Sequence, residues 1–77
     1  MHDQLRTYIT TDLMRDPDYP LKDDEPLISG GLIDSFSLVE LQLFIEQNFG
    51  IHIDDTKLTA DAIDNINDIV ALIGARQ

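Results

Sequence analysis

The sequence predicts a small all-α protein, a four-helix bundle of three main helices and a short third helix, with a long loop between helices one and two. Three segments place apolar residues at helical spacing, and neither a β-hairpin signal nor an internal repeat occurs. The chain has 77 residues, of which 43% are hydrophobic. This content is too high for a disordered acidic tail, so we expect one folded domain over residues 1–77.

Composition narrows the possible functions. A domain of this size buries a thin core, which disfavours an enzyme that acts alone. The net charge of −10, from 15 acidic and 5 basic side chains, disfavours binding to nucleic acid and to anionic membranes. Without cysteine there is neither a disulfide nor a thiolate zinc site, and no apolar run is long enough to span a membrane. The N-terminus lacks the pattern of a signal peptide, so we expect a cytoplasmic monomer.

Residues 3–15 predict the first helix. Apolar side chains recur four residues apart, with a tyrosine on the same side: Leu5, Ile9, Leu13 and Tyr8. Asp3 is the expected N-cap. We expect the helix to end at Asp16, because Pro17 disfavours helical geometry in the residue before it.

The stretch DPDYPLKDDEP, which follows the first helix, predicts the long loop. It carries all three prolines of the chain and has no helical period. Long loops in small domains are often functional. Several apolar residues late in the loop are expected to hold it against the core: Leu27, Ile28, Leu32 and Ile33.

The C-terminal third predicts two further helices. LTADAID, residues 58–64, indicates a short helix capped by Thr59. DNINDIVALIGA, residues 64–75, indicates a last helix capped by Asp64 and closed by Gly74. Its buried face is expected to consist of Ile66, Ile69, Val70 and Ile73.

The second helix, predicted over residues 35–49 and ended by Gly50, carries apolar side chains on two faces. With a turn of about 100° per residue, four of them fall within about 80° and form the expected core face: Leu38, Leu41, Ile45 and Phe49. A second set falls on nearly the opposite side: Phe36, Val39 and Leu43. Phe44 lies between the two faces and fits either environment.

The outer apolar set needs an explanation, because it faces away from the expected core. The first helix or the long loop covers it, or it docks a partner protein. In the second case an aromatic anchor at Phe36 would be flanked by the carboxylates of Glu40 and Glu46, which would steer a basic partner to it.

Asp34 and Ser35 stand where the second helix begins, and either could be its N-cap. A catalytic serine would need a base, but the only histidines, His2 and His52, are remote in sequence. The sequence IDSFS also does not match the G-x-S-x-G nucleophile elbow. A small hydrolase is therefore disfavoured.

Two further functions were considered for this region, a calcium-binding loop and the covalent attachment of a phosphodiester. A calcium loop is not supported, because neither DPDYPLKDDEP nor DNINDIVALIGA has oxygen ligands at the required spacing around a glycine. A phosphodiester on Ser35 would place negative charge at the positive end of a helix dipole. Gly30 and Gly31 are expected to form a flexible approach that leaves this serine open to a modifying enzyme.

The stretch GGLIDSFSLVELQLFIEQNFGI resembles the signature of acyl and peptidyl carrier proteins, in which D-S-L or a near variant opens the second helix. D-S alone carries no information, but D-S followed by V-E-L, I-E and F-G-I at these spacings is specific. The resemblance covers nearly the whole chain, with LTADAID matching the short third helix and NINDIVALI the fourth.

The resemblance implies that Ser35 carries 4′-phosphopantetheine, transferred from coenzyme A by a magnesium-dependent phosphopantetheinyl transferase. Asp34 matches the acid beside the attachment site. A set on the second helix matches positions where carriers dock their enzymes: Phe36, Val39, Glu40 and Leu43. The sequence departs from the family pattern at two positions. Phe36 replaces the usual leucine, and Ser37 stands at a position that is often acidic in fatty-acid carriers. These departures favour a dedicated stand-alone carrier over the housekeeping fatty-acid carrier.

A carrier of this kind is not an enzyme. It would hold acyl or aminoacyl groups as thioesters and deliver them in a specialised fatty-acid, polyketide or nonribosomal-peptide-type pathway. Its expected partners are the transferase, an acyl- or aminoacyl-loading ligase, and downstream synthase or transferase enzymes. The alternative is an unmodified acidic interaction module that docks through Phe36 and Leu43.

Overall fold

The computed structural model describes residues 1–54, 57, 59 and 61–75. These residues contain three α-helices, α1 (His2–Tyr8), α2 (Ser37–Phe49) and α3 (Ile66–Gly74), and no β-strand. A π-helical segment, Ile9–Leu13, continues directly from α1. Within this described part, no helix is long and apolar enough to cross a membrane. The predicted all-helical class is confirmed.

The core combines residues from all three helices and from the long loop. Its buried members on the helices and the π-helical segment are Leu5, Ile9, Leu38, Leu41, Ile45, Ile66, Ile69 and Ile73. Those between the helices are Leu21, Leu27, Ile33, Ile51, Ile53 and Ile63. Phe49 and Val70 pack at the edge of the same cluster. The predicted inner faces of α2 and α3 are therefore the faces that pack.

The first helix differs from the prediction at both ends. Its N-cap is Met1, and Asp3 lies in the first turn, where its carboxylate pairs with Arg6 at 2.6 Å. The C-terminal half is π-helical, with the Met14 N–H donating to the Ile9 carbonyl at 2.8 Å. Arg15, at a left-handed φ of 56°, lies just beyond this segment. The helical segment thus ends at Leu13, two residues before the predicted end at residue 15.

The long loop is held against the bundle as predicted. Leu27 and Ile33 are buried, and Ile28 and Leu32 pack partly buried against the core. Arg6 adds a polar attachment, because its Nε donates to the Leu21 carbonyl at 3.1 Å. The loop that leads to α2 is therefore fixed against the helices by these contacts.

The N-cap of α3 is Asn65, so the prediction of Asp64 was wrong. The Asn65 side chain accepts a hydrogen bond from the Asp68 N–H at 2.7 Å. The Asp68 carboxylate reaches back to the Asp64 N–H at 3.3 Å, which resembles the reciprocal bonds of a capping box. Asp64 is consequently free to bind the long loop.

The predicted short helix over residues 58–64 includes residues 58 and 60, which lie outside the described part of the chain. Thr59 Oγ1 accepts from the Ala62 N–H at 3.3 Å, which is the bond expected of an N-cap. The Ile63 N–H donates to the Thr59 carbonyl at 2.8 Å. The described residues form a small all-helical fold with three α-helices, and a four-helix bundle is not confirmed.

Candidate functional site

The turn that opens α2 is built by Asp34. Its Oδ1 accepts hydrogen bonds from the backbone N–H of Ser37 at 3.0 Å and from the Ser37 hydroxyl at 3.1 Å. The N-cap residue of α2 is Phe36, whose side chain makes no cap bond, so the prediction of Asp34 or Ser35 was wrong; of these two, Asp34 is the one whose carboxylate bonds to the first helical residue. Bonds between residues three apart, such as Leu38 N–H to the Ser35 carbonyl at 3.3 Å, join this turn to α2. Regular α-helix begins at Ser37, two residues later than predicted, because the first turn is tighter than an α-helix.

The three serines of the chain lie in different environments. The Ser29 hydroxyl donates to the Asp64 carboxylate at 2.5 Å, and the Ser37 hydroxyl donates to Asp34. Ser35 is exposed, and its hydroxyl forms no hydrogen bond within the described residues. Ser35 is thus the serine whose oxygen is available to another molecule.

The surroundings of Ser35 suit an anionic group. Within the described part of the chain, the backbone N–H groups of Ser35 and Phe36 donate to no acceptor. Free N–H groups at the start of a helix, together with the helix dipole, favour a negative charge. Beside this turn lies an open groove of about 480 Å³, lined by Leu13, Ile28, Gly31, Leu32, Ile33, Asp34 and Ser37.

The two glycines before the site form a hydrogen-bonded turn, which differs from the flexible approach we expected. The Gly31 N–H donates to the Ile28 carbonyl at 3.1 Å, and Gly31 has a left-handed φ of 78°. Gly30 lies very close to the backbone of the preceding loop. A Cβ atom at this position would fall 2.3 Å from the Pro26 carbonyl oxygen. The glycines therefore allow a tight turn rather than mobility.

Asp64 connects this loop to the start of α3. Its Oδ1 accepts from the backbone N–H groups of Ile28 at 2.9 Å and Ser29 at 3.0 Å. These bonds lower the pKa of Asp64, and the hydrogen bond from the Ser29 hydroxyl is the largest cause. Sequence reasoning missed this role, because Asp64 and Asn65 are both residue types that favour the N-cap and the sequence does not distinguish them.

The outer face of α2 is open to solvent. Phe36 is 82% exposed, Val39 56% and Leu43 53%, and the described part of the first helix and loop does not cover them. Glu40 and Glu46 are exposed on the same helix. Hereafter, the outer stripe means Phe36, Val39, Glu40, Leu43 and Glu46. The alternative in which these side chains are covered within the chain does not hold.

Phe44, which the periodicity left undecided, packs against α1. Its ring stacks on Tyr8 with centroids 4.0 Å apart and an angle of 16° between the planes. Phe49 contacts the same ring edge-on at 6.2 Å.

Neither histidine is paired with Ser35. His52 lies 3.4 Å from Glu46, beyond the C-terminal end of α2, whereas Ser35 precedes its N-terminal end. Thirteen helical residues span about 20 Å, so α2 separates the two. His2 contacts Asn67 on α3 at 3.2 Å. This arrangement gives no support to a serine–histidine nucleophile.

The sequence model of the phosphopantetheine attachment site family matches residues 3–73. The chain belongs to this family, whose prosthetic group is covalently attached 4′-phosphopantetheine. No curated protein matches the chain. The assignment defines a phosphopantetheine-carrying protein, as the resemblance to carrier proteins implied.

Proposed function

We propose that the protein is a non-catalytic carrier whose prosthetic group is attached to Ser35. The observation that carries this proposal is the contrast among the three serines. Ser29 and Ser37 have hydroxyls that donate to carboxylates, whereas Ser35, just before α2, is exposed and its hydroxyl has no hydrogen-bond partner in the part of the chain that the structure describes.

The local structure supports attachment at this position in three ways. Asp34 fixes the turn through Ser37, so that Ser35 is presented outward without its own side chain being used for capping. The backbone N–H groups of Ser35 and Phe36 donate to no acceptor among the described residues, which suits the phosphodiester. The preceding loop is fixed by the hydrogen-bonded turn at Gly31, and Ser35, which follows it, is exposed.

In the attachment reaction, the Ser35 oxygen would form a bond to the phosphorus that bears the pantetheine of coenzyme A. The pyrophosphate P–O bond breaks, the adenosine bisphosphate leaves, and the serine proton passes to the transferase. Asp34 is committed to the Ser37 hydrogen bonds, so it holds the turn rather than acting as the base. When bound, the group supplies a thiol that holds acyl or aminoacyl cargo as a thioester.

The outer stripe is the proposed docking surface for the enzymes that load and use the cargo. Three exposed apolar side chains stand beside two carboxylates, and α2 contains no Lys or Arg. Charge of this kind speeds the encounter with a basic partner, and a small contact area keeps release fast. The partners would include a phosphopantetheinyl transferase, a loading ligase and downstream synthases or transferases.

The pathway proposed is a specialised one rather than housekeeping fatty-acid synthesis. Phe36 is a large aromatic anchor immediately beside Ser35, and Ser37 is used for the capping interaction with Asp34. A partner for this surface needs an apolar pocket that accepts a phenyl ring next to the attachment site. Fatty-acyl, polyketide and aminoacyl cargo all remain compatible with these features.

The attachment proposal is tested by incubating the protein with coenzyme A, magnesium and a promiscuous phosphopantetheinyl transferase, and then measuring the intact mass. The wild type should gain one phosphopantetheine group. Ser29→Ala and Ser37→Ala are matched controls that should still gain it, whereas Ser35→Ala should not. A wild type that gains nothing, or a Ser35→Ala variant that gains the group, would refute attachment at Ser35. The first result would favour an unmodified interaction module instead.

A further inference from the structure

A single residue, Asp64, binds three consecutive backbone N–H groups of the long loop. Its carbonyl oxygen accepts from the Leu27 N–H at 2.6 Å, and its Oδ1 accepts from the N–H groups of Ile28 and Ser29 at 2.9 and 3.0 Å. The Ser29 hydroxyl donates to the second carboxylate oxygen at 2.5 Å. We call these four hydrogen bonds the Asp64 clamp. Because hydrogen bonds are directional, the clamp fixes the orientation of the loop as well as its position.

Asp64 is itself held in place by the residues on either side of it. Ile63, which precedes it, is buried in the core. The Asp64 N–H donates to the Asp68 carboxylate at 3.3 Å, and Asn65 caps α3 with a bond from the Asp68 N–H at 2.7 Å. Since Asn65 performs the capping, the Asp64 side chain is available to the loop. The clamp therefore attaches the loop to a well-supported part of the fold.

The clamped residues lead to Ser35 through a segment that closes on itself. The Leu27 carbonyl accepts from the N–H groups of Leu32 at 2.9 Å and Ile33 at 3.1 Å, which joins the two ends of residues 27–33. Ser35 follows this segment by two residues, and within the described part of the chain its own N–H and hydroxyl form no hydrogen bond. The position of Ser35 is therefore set by its neighbours and not by bonds of its own.

Apolar contacts alone would not hold this segment in one arrangement. Leu27 and Ile33 are buried at its two ends, but the burial of apolar side chains is non-directional. Among the described residues, the N–H groups of Ile28 and Ser29 have the Asp64 carboxylate as their acceptor and no other. Without that carboxylate, the middle of the segment gains access to further arrangements.

We propose that Asp64 is a positioning residue for the modification of Ser35, and that its clamp holds residues 27–33 in the arrangement that a phosphopantetheinyl transferase binds. Asp64 forms no hydrogen bond with Ser35, so it acts through the loop. The inference rests on the proposed function, because it requires Ser35 to be the attachment site. It extends the set of residues that serve this site from the start of α2 to the start of α3.

The clamp should act on binding of the transferase rather than on the chemical step. When a protein populates its binding-competent arrangement only in part, its apparent affinity falls in proportion to that fraction. If release of the loop leaves about one molecule in ten competent, the KM for this protein rises roughly tenfold. The value of kcat should change little, because every bound molecule then has the competent arrangement.

The test is the steady-state kinetics of modification by coenzyme A, magnesium and a promiscuous phosphopantetheinyl transferase, followed by intact mass over a range of protein concentrations. Asp64→Ala should raise KM roughly tenfold and leave kcat nearly unchanged. Asp64→Asn retains an amide oxygen that can accept from the Ile28 and Ser29 N–H groups, so its KM should stay close to that of wild type.

Gln42→Ala separates positioning from a general loss of stability. The buried Gln42 amide donates to the Ile53 carbonyl, so this variant loses stability at a hydrogen bond that does not belong to the clamp. Its KM should match that of wild type. Circular dichroism at the assay temperature confirms that each variant is folded.

Hydrogen exchange of the wild-type protein tests the clamp without any substitution. The amides of Ile28 and Ser29 should be protected, because both donate to Asp64. The amides of Ser35 and Phe36 donate to no described acceptor and should exchange quickly.

Equal KM values for wild type and Asp64→Ala would overturn the inference, and so would a comparable rise of KM in Gln42→Ala or Asp64→Asn. Unprotected amides at Ile28 and Ser29 would overturn it even if Asp64→Ala failed to fold. A wild type that accepts no phosphopantetheine would refute the proposed function itself. A wild type that is modified, together with any of the other results, would refute only the role of Asp64.

Discussion

The carboxylate of Asp64 binds Ser29 twice, accepting from its backbone N–H at 3.0 Å and from its hydroxyl at 2.5 Å, across 35 positions of sequence. A third bond, from the Ile28 N–H at 2.9 Å, attaches the same carboxylate to the loop. The loop continues through the Gly30-Gly31 turn to Ser35. Asp64 thereby ties the approach to the candidate attachment site to the start of α3.

Removing this carboxylate should destabilise the fold. Asp64→Ala leaves the Ile28 and Ser29 N–H groups without their acceptor, and we expect a loss of about 1–2 kcal/mol in unfolding free energy at neutral pH. Asp24→Ala removes the same charge from an exposed loop position and should change little. Urea denaturation of the three proteins measures the difference. Equal stability of wild type and Asp64→Ala would show that the loop is held without this carboxylate.

The contribution of Asp64 should depend on pH in a defined direction. Its pKa is lowered in the folded protein, chiefly by the Ser29 hydroxyl, so protonation favours the unfolded chain. The stability difference between wild type and Asp64→Ala should be constant above the ordinary pKa of an aspartate. It should shrink as the pH falls below that value and through the lowered pKa. Denaturation curves from neutral pH to the acid limit of folding measure it, and a difference that grows on acidification would contradict this account.

Helical periodicity predicted α2 best, because a repeat near 3.6 residues placed its inner and outer faces without any tertiary information. Leu41 is fully buried and Phe36 is 82% exposed, as their positions on the helix indicated. The attachment serine was proposed from a local motif, and its exposure agrees with that proposal. The inner and outer faces of one continuous helix are therefore readable from sequence, whereas its first turn was not, because α2 begins at Ser37.

Features that depend on long-range bonds were not predictable in the same way. Asp64 is a residue type that favours the N-cap position. Only the position of the long loop in the fold shows that its carboxylate binds Ser29 and does not cap α3. The π-helical end of the first helix accompanies a bond from the Thr10 hydroxyl to the Arg6 carbonyl at 2.9 Å, which periodicity does not reveal. The stacking of Tyr8 on Phe44 likewise joins two residues that are far apart in sequence.

The outer stripe and the core of α2 should respond oppositely to truncation. Phe36→Ala should leave the melting temperature nearly unchanged, because its side chain is 82% exposed, while weakening coupling to partner enzymes. Leu41→Ala should cost about 2–5 kcal/mol of unfolding free energy, because its side chain is fully buried. Calorimetry and the initial rate of Ser35 modification give the two readouts. A large loss of stability in Phe36→Ala would show that the Phe36 side chain belongs to the core and not to the docking surface.

The glycine turn before Ser35 should not tolerate alanine at its first position. In Gly30→Ala the new Cβ would lie 2.3 Å from the Pro26 carbonyl oxygen, so the loop must shift. We expect a marked loss of stability and slower modification of Ser35 than in wild type. Gly74→Ala is the matched control, because its Cβ meets nothing within 4 Å and alanine stabilises a helix by roughly 0.5–1 kcal/mol relative to glycine. Equal thermal stability of the two variants would show that the close approach at Gly30 is not required.

Gln42 is a polar residue inside the packed side of α2, and its truncation tests whether the segment after α2 is held by that amide. Its Nε2 donates to the Ile53 carbonyl at 2.5 Å, and the side chain is buried. Gln42→Ala would leave this carbonyl without a donor, at an expected cost of about 1–3 kcal/mol. Gln47→Ala, at an exposed position on the same helix, should change stability by less than about 0.5 kcal/mol. Hydrogen exchange should quicken around Ile53 in the first variant alone, because the carbonyl anchors that stretch of chain to α2. If both variants retained wild-type stability, the segment around Ile53 would be held by apolar packing and not by the buried amide.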